Sequence, residues 1–214
     1  NSKGIERLLE AAPGLVRDDD LLVIADSGCS DGSFIQIAEK GILWLRFDIE
    51  GKQCHASRPD DGVNALTAAS KLILAIENAE SKFSVRDSLF DPPRSTFTPT
   101  KHESSVSNIN TMSGREKVYV DCRVLPCYDL SDVVSAFKSI AQHMEKETGC
   151  RIKVEEVMRN PAAMPTPEHA PVVEKLRLAI REVTGTQCRC GGIGGSTVAC
   201  CFRRNGIPAA VWSH

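Results

Sequence analysis

The amino-acid sequence predicts an α/β protein in which a small antiparallel domain interrupts a larger domain built on a parallel sheet. Two observations predict this class. Residues 42–157 combine strands of alternating polarity with two amphipathic helices, whereas the residues on both sides contain short, continuous apolar runs. We therefore expect residues 1–41 and 158–214 to be parts of one domain, with residues 42–157 inserted as a complete second domain.

The inserted domain is predicted to have the order βαββαβ, a ferredoxin-like arrangement with two helices on one face of an antiparallel sheet. Its second helix has Asp129 as a candidate N-cap and Gly149 just beyond its end. The predicted strands are residues 43–50, 105–111, 117–125 and 151–157, and the predicted helices are residues 64–79 and 130–147.

The flanking segments are predicted to follow the parallel α/β pattern. Asp26 comes directly after a predicted buried strand, at the kind of strand end where such sheets place ligands. It is therefore a candidate for chemistry. The predicted strands are residues 21–25 and 209–212, and the predicted helices are residues 4–12, 171–183 and 197–205.

Composition excludes several functional classes. The 26 Lys and Arg residues are balanced by 28 Asp and Glu residues, so we expect no nucleic-acid partner. No apolar stretch approaches the roughly 20 residues that span a bilayer, and the charged opening is not a signal peptide, so we expect no membrane partner. The nine cysteines are odd in number and mostly have apolar neighbours. We therefore expect free thiols and a reducing cytoplasm.

Cys188 and Cys190 leave a second interpretation open, because two thiolates close in sequence can form half of a metal site. Structural zinc sites generally have two or more residues between paired ligands and need a second ligand pair, which the sequence does not provide. We expect a structural pair, and a cysteine-based zinc-binding protein remains the alternative.

The most specific pattern in the chain follows the first strand of the inserted domain: Gly51-Lys52, His55-Ala56-Ser57, Pro59 and Gly62-Val63-Asn64-Ala65. It resembles the lid-domain signature of the di-zinc amidohydrolases and peptidases, which include the aminoacylases, succinyl-diaminopimelate desuccinylase, acetylornithine deacetylase and carboxypeptidase G. The resemblance continues in order through Ile109-Asn110-Thr111, Asp121-Cys122-Arg123-Val124-Leu125-Pro126, Gly194-Gly195-Ser196-Thr197, Phe202-Arg203 and Gly206-Ile207-Pro208.

The resemblance implies roles for three residues of the inserted domain. His55 is the expected catalytic residue, which reaches from one subunit into the other's active site and stabilises the oxyanion at the scissile carbonyl. Asn110 is expected to contact the substrate near the reacting group, and Arg123 to pair with its carboxylate. Taken alone, His55 could be a surface residue at a helix entry. Asn110 could complete backbone hydrogen bonds at the end of a strand, and Arg123 could be part of a surface ion pair. Asn108 would share the strand face of Asn110.

The glycine-rich segment that contains Gly194, Gly195 and Ser196 is expected to bind the carboxylate end of the substrate, as the corresponding loop does in the family. It lacks the ending of a nucleotide-binding P-loop and does not fit the dinucleotide fingerprint. Backbone N–H groups and hydroxyls at a helix start suit a carboxylate. A tight packing turn is the alternative.

The resemblance also implies a two-metal centre with Asp26 as one of its ligands. Two Zn²⁺ ions per complete active site are expected, with Co²⁺ as a possible substitute. The other ligands and a general base should come mainly from residues that precede Asn1, and His214 follows the last predicted strand too closely to match the remaining histidine. We therefore expect the 214-residue chain alone to be inactive.

The expected function of the complete protein is zinc-dependent hydrolysis of an amide bond in a small carboxylate-bearing substrate. N-acyl amino acids, succinyl-diaminopimelate and dipeptides are the candidate substrates. The expected partner is a second copy, bound through an edge strand of the lid and the helix near residues 64–79. A catalytically silent dimerisation module is the alternative.

Overall fold

The computed structural model describes residues 3–17 and 19–213, which form two compact units. The inserted unit comprises Ile42–Val85 and Arg94–Pro161, and the flanking unit comprises the described residues of 3–41, 86–93 and 162–213. In chain order the elements are α1 (Lys3–Ala11), β1 (Leu22–Ile24), β2 (Phe34–Glu39), β3 (Gly41–Glu50), β4 (Cys54–His55), α2 (Ala65–Glu77), β5 (Thr96–Ser104), β6 (Thr111–Met112), β7 (Arg115–Val124), α3 (Leu130–Thr148), β8 (Arg151–Asn160), α4 (Pro171–Thr184), β9 (Arg189–Ile193), α5 (Ala199–Arg204) and β10 (Ala209–Val211), with 3₁₀ turns at Pro59–Asp61 and Asn78–Phe83.

The unit boundaries differ from the predicted ones in two places. The inserted unit ends at Pro161 rather than at residue 157, because β8 continues its pairing with β3 as far as Asn160. Residues 86–93 belong to the flanking unit, although the sequence placed them in the inserted domain. Phe90 explains this, since it is buried and its backbone forms a bridge with Gly192 of the flanking unit.

The inserted unit has the predicted βαββαβ order, formed by β3, α2, β5, β7, α3 and β8, with the strands arranged β5-β7-β3-β8. Alternate residues of β3 are fully buried and pack in one core with the apolar faces of both helices. Asn64 caps α2 by accepting from the Thr67 amide at 3.1 Å. Asp129 caps α3, and Gly149 ends it in the left-handed conformation that glycine adopts readily.

One strand of this sheet lies earlier in the chain than predicted. The partner of β7 is β5, whereas residues 105–110 form a loop before the short strand β6. Pro99 lies in the β5 segment and has no amide to donate to a neighbouring strand. However, β5 is an edge strand, and its register shifts between Pro99 and Lys101. Proline is tolerated at such a position.

The flanking unit contains a mixed sheet in the order β1-β10-β2-β9, with helices α1, α4 and α5. Strands β1 and β10 are parallel, β10 and β2 antiparallel, and β2 and β9 parallel. The α/β class is therefore confirmed, although the sheet is not purely parallel. The prediction that residues 21–25 form a buried strand was wrong: β1 is an edge strand, and Leu21 and Val23 are each 44% exposed.

The glycine-dense segment contributes a strand that the sequence did not predict. Gly191 and Gly192 lie in β9, where a Cβ atom would come within 2.6 Å of the Phe34 ring and 2.4 Å of the Phe90 ring, respectively. The two rings occupy the space that side chains would fill, so glycine permits the sheet to form here.

Across the described ranges, no helix is both long and apolar enough to cross a membrane.

Candidate functional site

A two-residue ladder holds the His55 segment in the inserted unit. Strands β4 and β6 pair antiparallel, with His55 opposite Thr111. The amide of Ala56 extends the ladder by donating to the carbonyl oxygen of Asn110 at 2.9 Å. Two of the predicted site residues, His55 and Asn110, are therefore brought together on adjacent segments.

The imidazole of His55 is exposed, but its Nδ1 atom is engaged locally. Nδ1 lies 2.8 Å from the Ser57 hydroxyl oxygen, and the Ser57 amide donates to Nδ1 at 3.2 Å. The Arg58 amide closes the turn by donating to the His55 carbonyl at 2.9 Å. Within the described chain no residue hydrogen-bonds to Nε2 of His55. The ring is therefore anchored on one side and open on the other.

The sequence predicted that Asn110 lies on a paired strand, but the structure does not place it on one. It occupies an exposed turn that precedes β6, next to the fully exposed Ile109. The predicted strand face shared with Asn108 is not formed either, because the Asn108 carbonyl accepts from the Thr111 amide at 3.4 Å in this turn. The role of the Asn110 side chain in binding substrate stays a prediction.

Arg123 lies on β7, half-buried, and its guanidinium is paired with a neighbour on the same strand. Nε and Nη2 donate to the two oxygens of Asp121 at 2.6 and 2.9 Å. The indole of Trp44 donates to the same carboxylate at 3.0 Å. These contacts are those of an ion pair on the sheet surface, the alternative interpretation of Arg123. A substrate carboxylate would have to compete with Asp121 for the guanidinium. Substrate binding by Arg123 stays a prediction.

Asp26 follows β1 and is exposed. The segment behind it packs against the end of β10: a Cβ atom at Gly28 would lie 1.8 Å from the Ser213 carbonyl oxygen, which only glycine avoids. Because β1 and β10 are parallel neighbours, Asp26 and Ser213 follow the same edge of the sheet. This edge suits a ligand site in α/β proteins. His214 lies outside the described residues.

The loop Gly194–Ser196 follows β9 and leads into the short helix α5. All three residues are partly exposed, and the Ser196 hydroxyl donates to the Cys200 sulfur at 3.3 Å. The next residue, Thr197, is buried, and its amide donates to a carboxylate oxygen of Glu39 at 3.0 Å. The loop is therefore tied to β2 at one end.

Glu39 belongs to a buried ion pair that the sequence analysis did not find. Arg203 Nη1 donates to Glu39 at 3.0 Å, and each side chain is only 2% exposed. Burial lowers the pKa of the Arg203 guanidinium, and the charge of Glu39 opposes this change. Arg203 also donates to the carbonyl of Ala209 at 3.0 Å and to the Thr166 hydroxyl at 3.1 Å. The pair therefore joins β2, α5 and β10.

A chain of hydrogen bonds runs from this pair toward the Asp26 segment. Gln36 donates to Glu39 at 2.9 Å and accepts from the Ser27 hydroxyl at 2.6 Å. Gln36 is fully buried. Ser27 and Thr197 are thus connected through two side chains of β2. The network therefore connects the segment that follows Asp26 with the residue that follows the loop Gly194–Ser196.

Strand directions nevertheless separate Asp26 from the glycine loop. Strands β1 and β10 run one way, and β2 and β9 run the other way. Asp26 follows the carboxyl end of β1, and Gly194 follows the carboxyl end of β9. Because β1 and β9 run in opposite directions, these two positions lie at opposite ends of the strands. The structure does not gather the predicted residues of the flanking unit into one cluster.

The described residues do not fit the two-metal centre that the resemblance implies. In residues 3–17 and 19–213, no group of three or more His, Cys, Asp or Glu side chains could hold a metal ion. Asp26 alone supplies one carboxylate, whereas each zinc ion needs three or more protein ligands. The same finding gives no support to a zinc site at Cys188 and Cys190, where Arg177 donates to Cys190 at 2.9 Å.

Two functional features were missed for different reasons. Glu39 follows a segment of mixed polarity, residues 34–38, and Arg203 belongs to the Phe202-Arg203 motif, but nothing in the sequence pairs residues so far apart. Ser57 was part of the His-Ala-Ser motif, yet only the turn geometry reveals its contacts with His55.

Comparisons with known proteins cover nearly the whole chain. The M20 peptidase dimerisation domain matches residues 37–149, more than half of the sequence. The chain is 36% identical over 208 residues to an uncharacterised metallohydrolase of Methanocaldococcus jannaschii, covering 92% of this chain and 50% of that protein. A second uncharacterised metallohydrolase, from Methanococcus maripaludis, is 39% identical over 209 residues, covering 90% and 50%.

Solved structures share the fold. The aminopeptidase PepT of Bacillus cereus aligns with a TM-score of 0.72 and 23% identity, covering 96% of this chain and 52% of that one. A tripeptidase of Staphylococcus aureus aligns with a TM-score of 0.71 and 19% identity, covering 91% and 49%. The chain spans about half the length of the relatives it matches. These matches confirm the family inferred from the motifs. The chain belongs to the M20 family of metal-dependent peptidases and amidohydrolases that carry the peptidase dimerisation domain.

Proposed function

We propose that the chain is part of a metal-dependent amide hydrolase in which the inserted unit contributes His55 as a hydrogen-bond donor to the oxyanion at the scissile carbonyl. The observation that carries this proposal is the His55 turn, where Nδ1 is held by Ser57 and Nε2 faces no described partner. A donor fixed before the substrate arrives needs no reorganisation during the reaction, which is what makes an oxyanion site effective.

The proposed substrate is a small amide with a carboxylate: an N-acyl amino acid, succinyl-diaminopimelate or a dipeptide. Arg123 and the loop Gly194–Ser196 are the proposed contacts for the carboxylate end of the substrate, which the loop would bind away from Asp26 because the two lie at opposite ends of the strands. Asn110, beside His55, is the proposed contact near the reacting group. The metal is proposed to be zinc, two ions per complete site, with Asp26 as the one ligand from the described residues. Zinc would supply the activated water.

The nine free cysteines support a reducing compartment such as the cytoplasm.

The proposed assembly is a homodimer formed through the inserted unit. Strand β5 is an edge of its sheet, and an unpaired edge is a template for a second strand. Helix α2 packs beside β5 and exposes Leu66 and Leu74, which are 46% and 61% accessible. Pairing about a two-fold axis would satisfy both edges and cover both leucines.

A catalytically silent dimerisation module is the second candidate function. It is favoured by the match of the peptidase dimerisation domain to residues 37–149, more than half of the chain. The two candidates differ in what the longer protein should do with metal.

The complete protein is expected to hydrolyse at least one of the three proposed substrate classes in a metal-dependent manner. A chelator should remove the activity, and added Zn²⁺ or Co²⁺ should restore it. The 214-residue chain, assayed with the same metals, is the matched control and should show no turnover. Activity that survives chelation would contradict the metal-dependent proposal, and a complete protein that binds no metal would favour the silent module.

A further inference from the structure

Ser57 makes two contacts with a single atom of His55. Its amide donates to Nδ1 at 3.2 Å, and its hydroxyl oxygen lies 2.8 Å from the same nitrogen. A histidine that merely caps a surface turn would not need both. The two contacts together restrict where the imidazole can carry its proton.

The amide contact is the decisive one, because a backbone N–H can only donate. Nδ1 must therefore present its lone pair toward Ser57 and cannot itself bear hydrogen. In a neutral imidazole the single proton then resides on the other nitrogen, Nε2. The Ser57 hydroxyl, facing the same lone pair, must also act as donor.

The turn around these residues is closed by further contacts. The Arg58 amide donates to the His55 carbonyl at 2.9 Å, and the Cys54 thiol donates to the Arg58 carbonyl at 3.2 Å. On the other side, the Ala56 amide is held by Asn110. The direction of the Ser57 amide is therefore set by the backbone and not by a mobile side chain.

We propose that Ser57 is a positioning residue that keeps His55 in the Nε2–H tautomer, the neutral form able to donate a hydrogen bond from Nε2. The tautomer follows from the turn alone, whereas its catalytic consequence rests on the function proposed above for His55. In the opposite arrangement Nδ1–H would donate to the Ser57 hydroxyl, the amide would lose its acceptor, and Nε2 would present a lone pair. A lone pair repels an oxyanion.

Nitrogen NMR of the ¹⁵N-labelled 214-residue chain tests the tautomer directly. At a pH where the ring is neutral, we expect a through-hydrogen-bond coupling between the Ser57 amide nitrogen and His55 Nδ1, with the ring proton on Nε2. The exposed His143 on α3 is the internal reference and should show no such coupling. A proton on Nδ1 of His55, or an assigned Ser57 amide without the coupling, would overturn the proposal.

Kinetics of the complete protein test the consequence. Ser57→Ala removes one of the two contacts and should lower kcat about fivefold with KM unchanged, the effect of one ordinary hydrogen bond. Ser57→Thr keeps the hydroxyl and should restore the rate. In a His55→Ala background, Ser57→Ala should cause no further loss, since it acts through the missing ring.

The outcomes separate the two proposals. An equal loss from Ser57→Ala with and without His55 would show that Ser57 does not act through the imidazole, and would overturn the positioning role. A fully active His55→Ala variant would refute the proposed function while leaving the NMR result intact.

Discussion

Replacing His55 by alanine in the complete protein is expected to lower kcat by two or more orders of magnitude, on the order of 3 kcal/mol of lost transition-state stabilisation. The loss is expected because the oxyanion forms only as the amide carbonyl is attacked, so the donor acts mainly on the transition state. Steady-state kinetics with the best substrate, together with metal analysis of the purified variant, measure the effect.

Two comparisons make this measurement specific. His143→Ala, which removes an exposed histidine from α3 of the same unit, should leave turnover unchanged. The metal content of His55→Ala should equal that of the wild type, because His55 is not a proposed ligand. A His55→Ala variant with near-normal turnover would return His55 to the alternative interpretation of a surface residue at a helix entry.

Removal of the Glu39 side chain should have the largest effect on stability. Glu39→Ala leaves the charge of Arg203 buried without its carboxylate, and breaking a buried ion pair in this way costs about 3–5 kcal/mol. The Thr197 amide and Gln36 would lose the same acceptor. We therefore expect a large decrease in the free energy of unfolding of the flanking unit.

The measurement is urea unfolding of the 214-residue chain, followed by tryptophan fluorescence. Of the two tryptophans, Trp212 lies in the flanking unit and Trp44 in the inserted unit, so a Trp44→Phe background reports the flanking unit alone. Asp19→Ala is the matched control, because Asp19 also pairs with an arginine, Arg17. In this pair, however, the side chains of Arg17 and Asp19 are 70% and 71% exposed. Exposed pairs contribute little. Equal effects of the two substitutions would contradict the account of Glu39.

Much of the inserted unit could be predicted because its signals are local. The alternation in β3 and the cap Asp129 each act within one element, and each has the predicted consequence. Residues 105–110 were mistaken for a strand because the sequence does not show which segment will be the sheet edge. Only that position makes Pro99 acceptable in β5.

The flanking unit was harder to predict because its determinants are distant in sequence. Gly191 and Gly192 form a strand only because two phenylalanine rings fill the space over them. Glu39 and Arg203 meet across 164 residues, so neither identifies the other in the sequence. The candidate site residues were assigned by resemblance and stay predictions, and their grouping depends on strand directions that the resemblance did not supply.

Subunit mixing tests the central claim, that the inserted unit delivers His55 to the active site of the partner. Complete His55→Ala and Asp26→Ala variants, each inactive alone, should regain activity when mixed under conditions of subunit exchange. Each heterodimer would contain one site with both residues intact. With random exchange of equal amounts, half of the dimers are mixed, so about one quarter of the wild-type activity is expected. If mixing restores no activity although heterodimers are shown to form, His55 does not act across the interface.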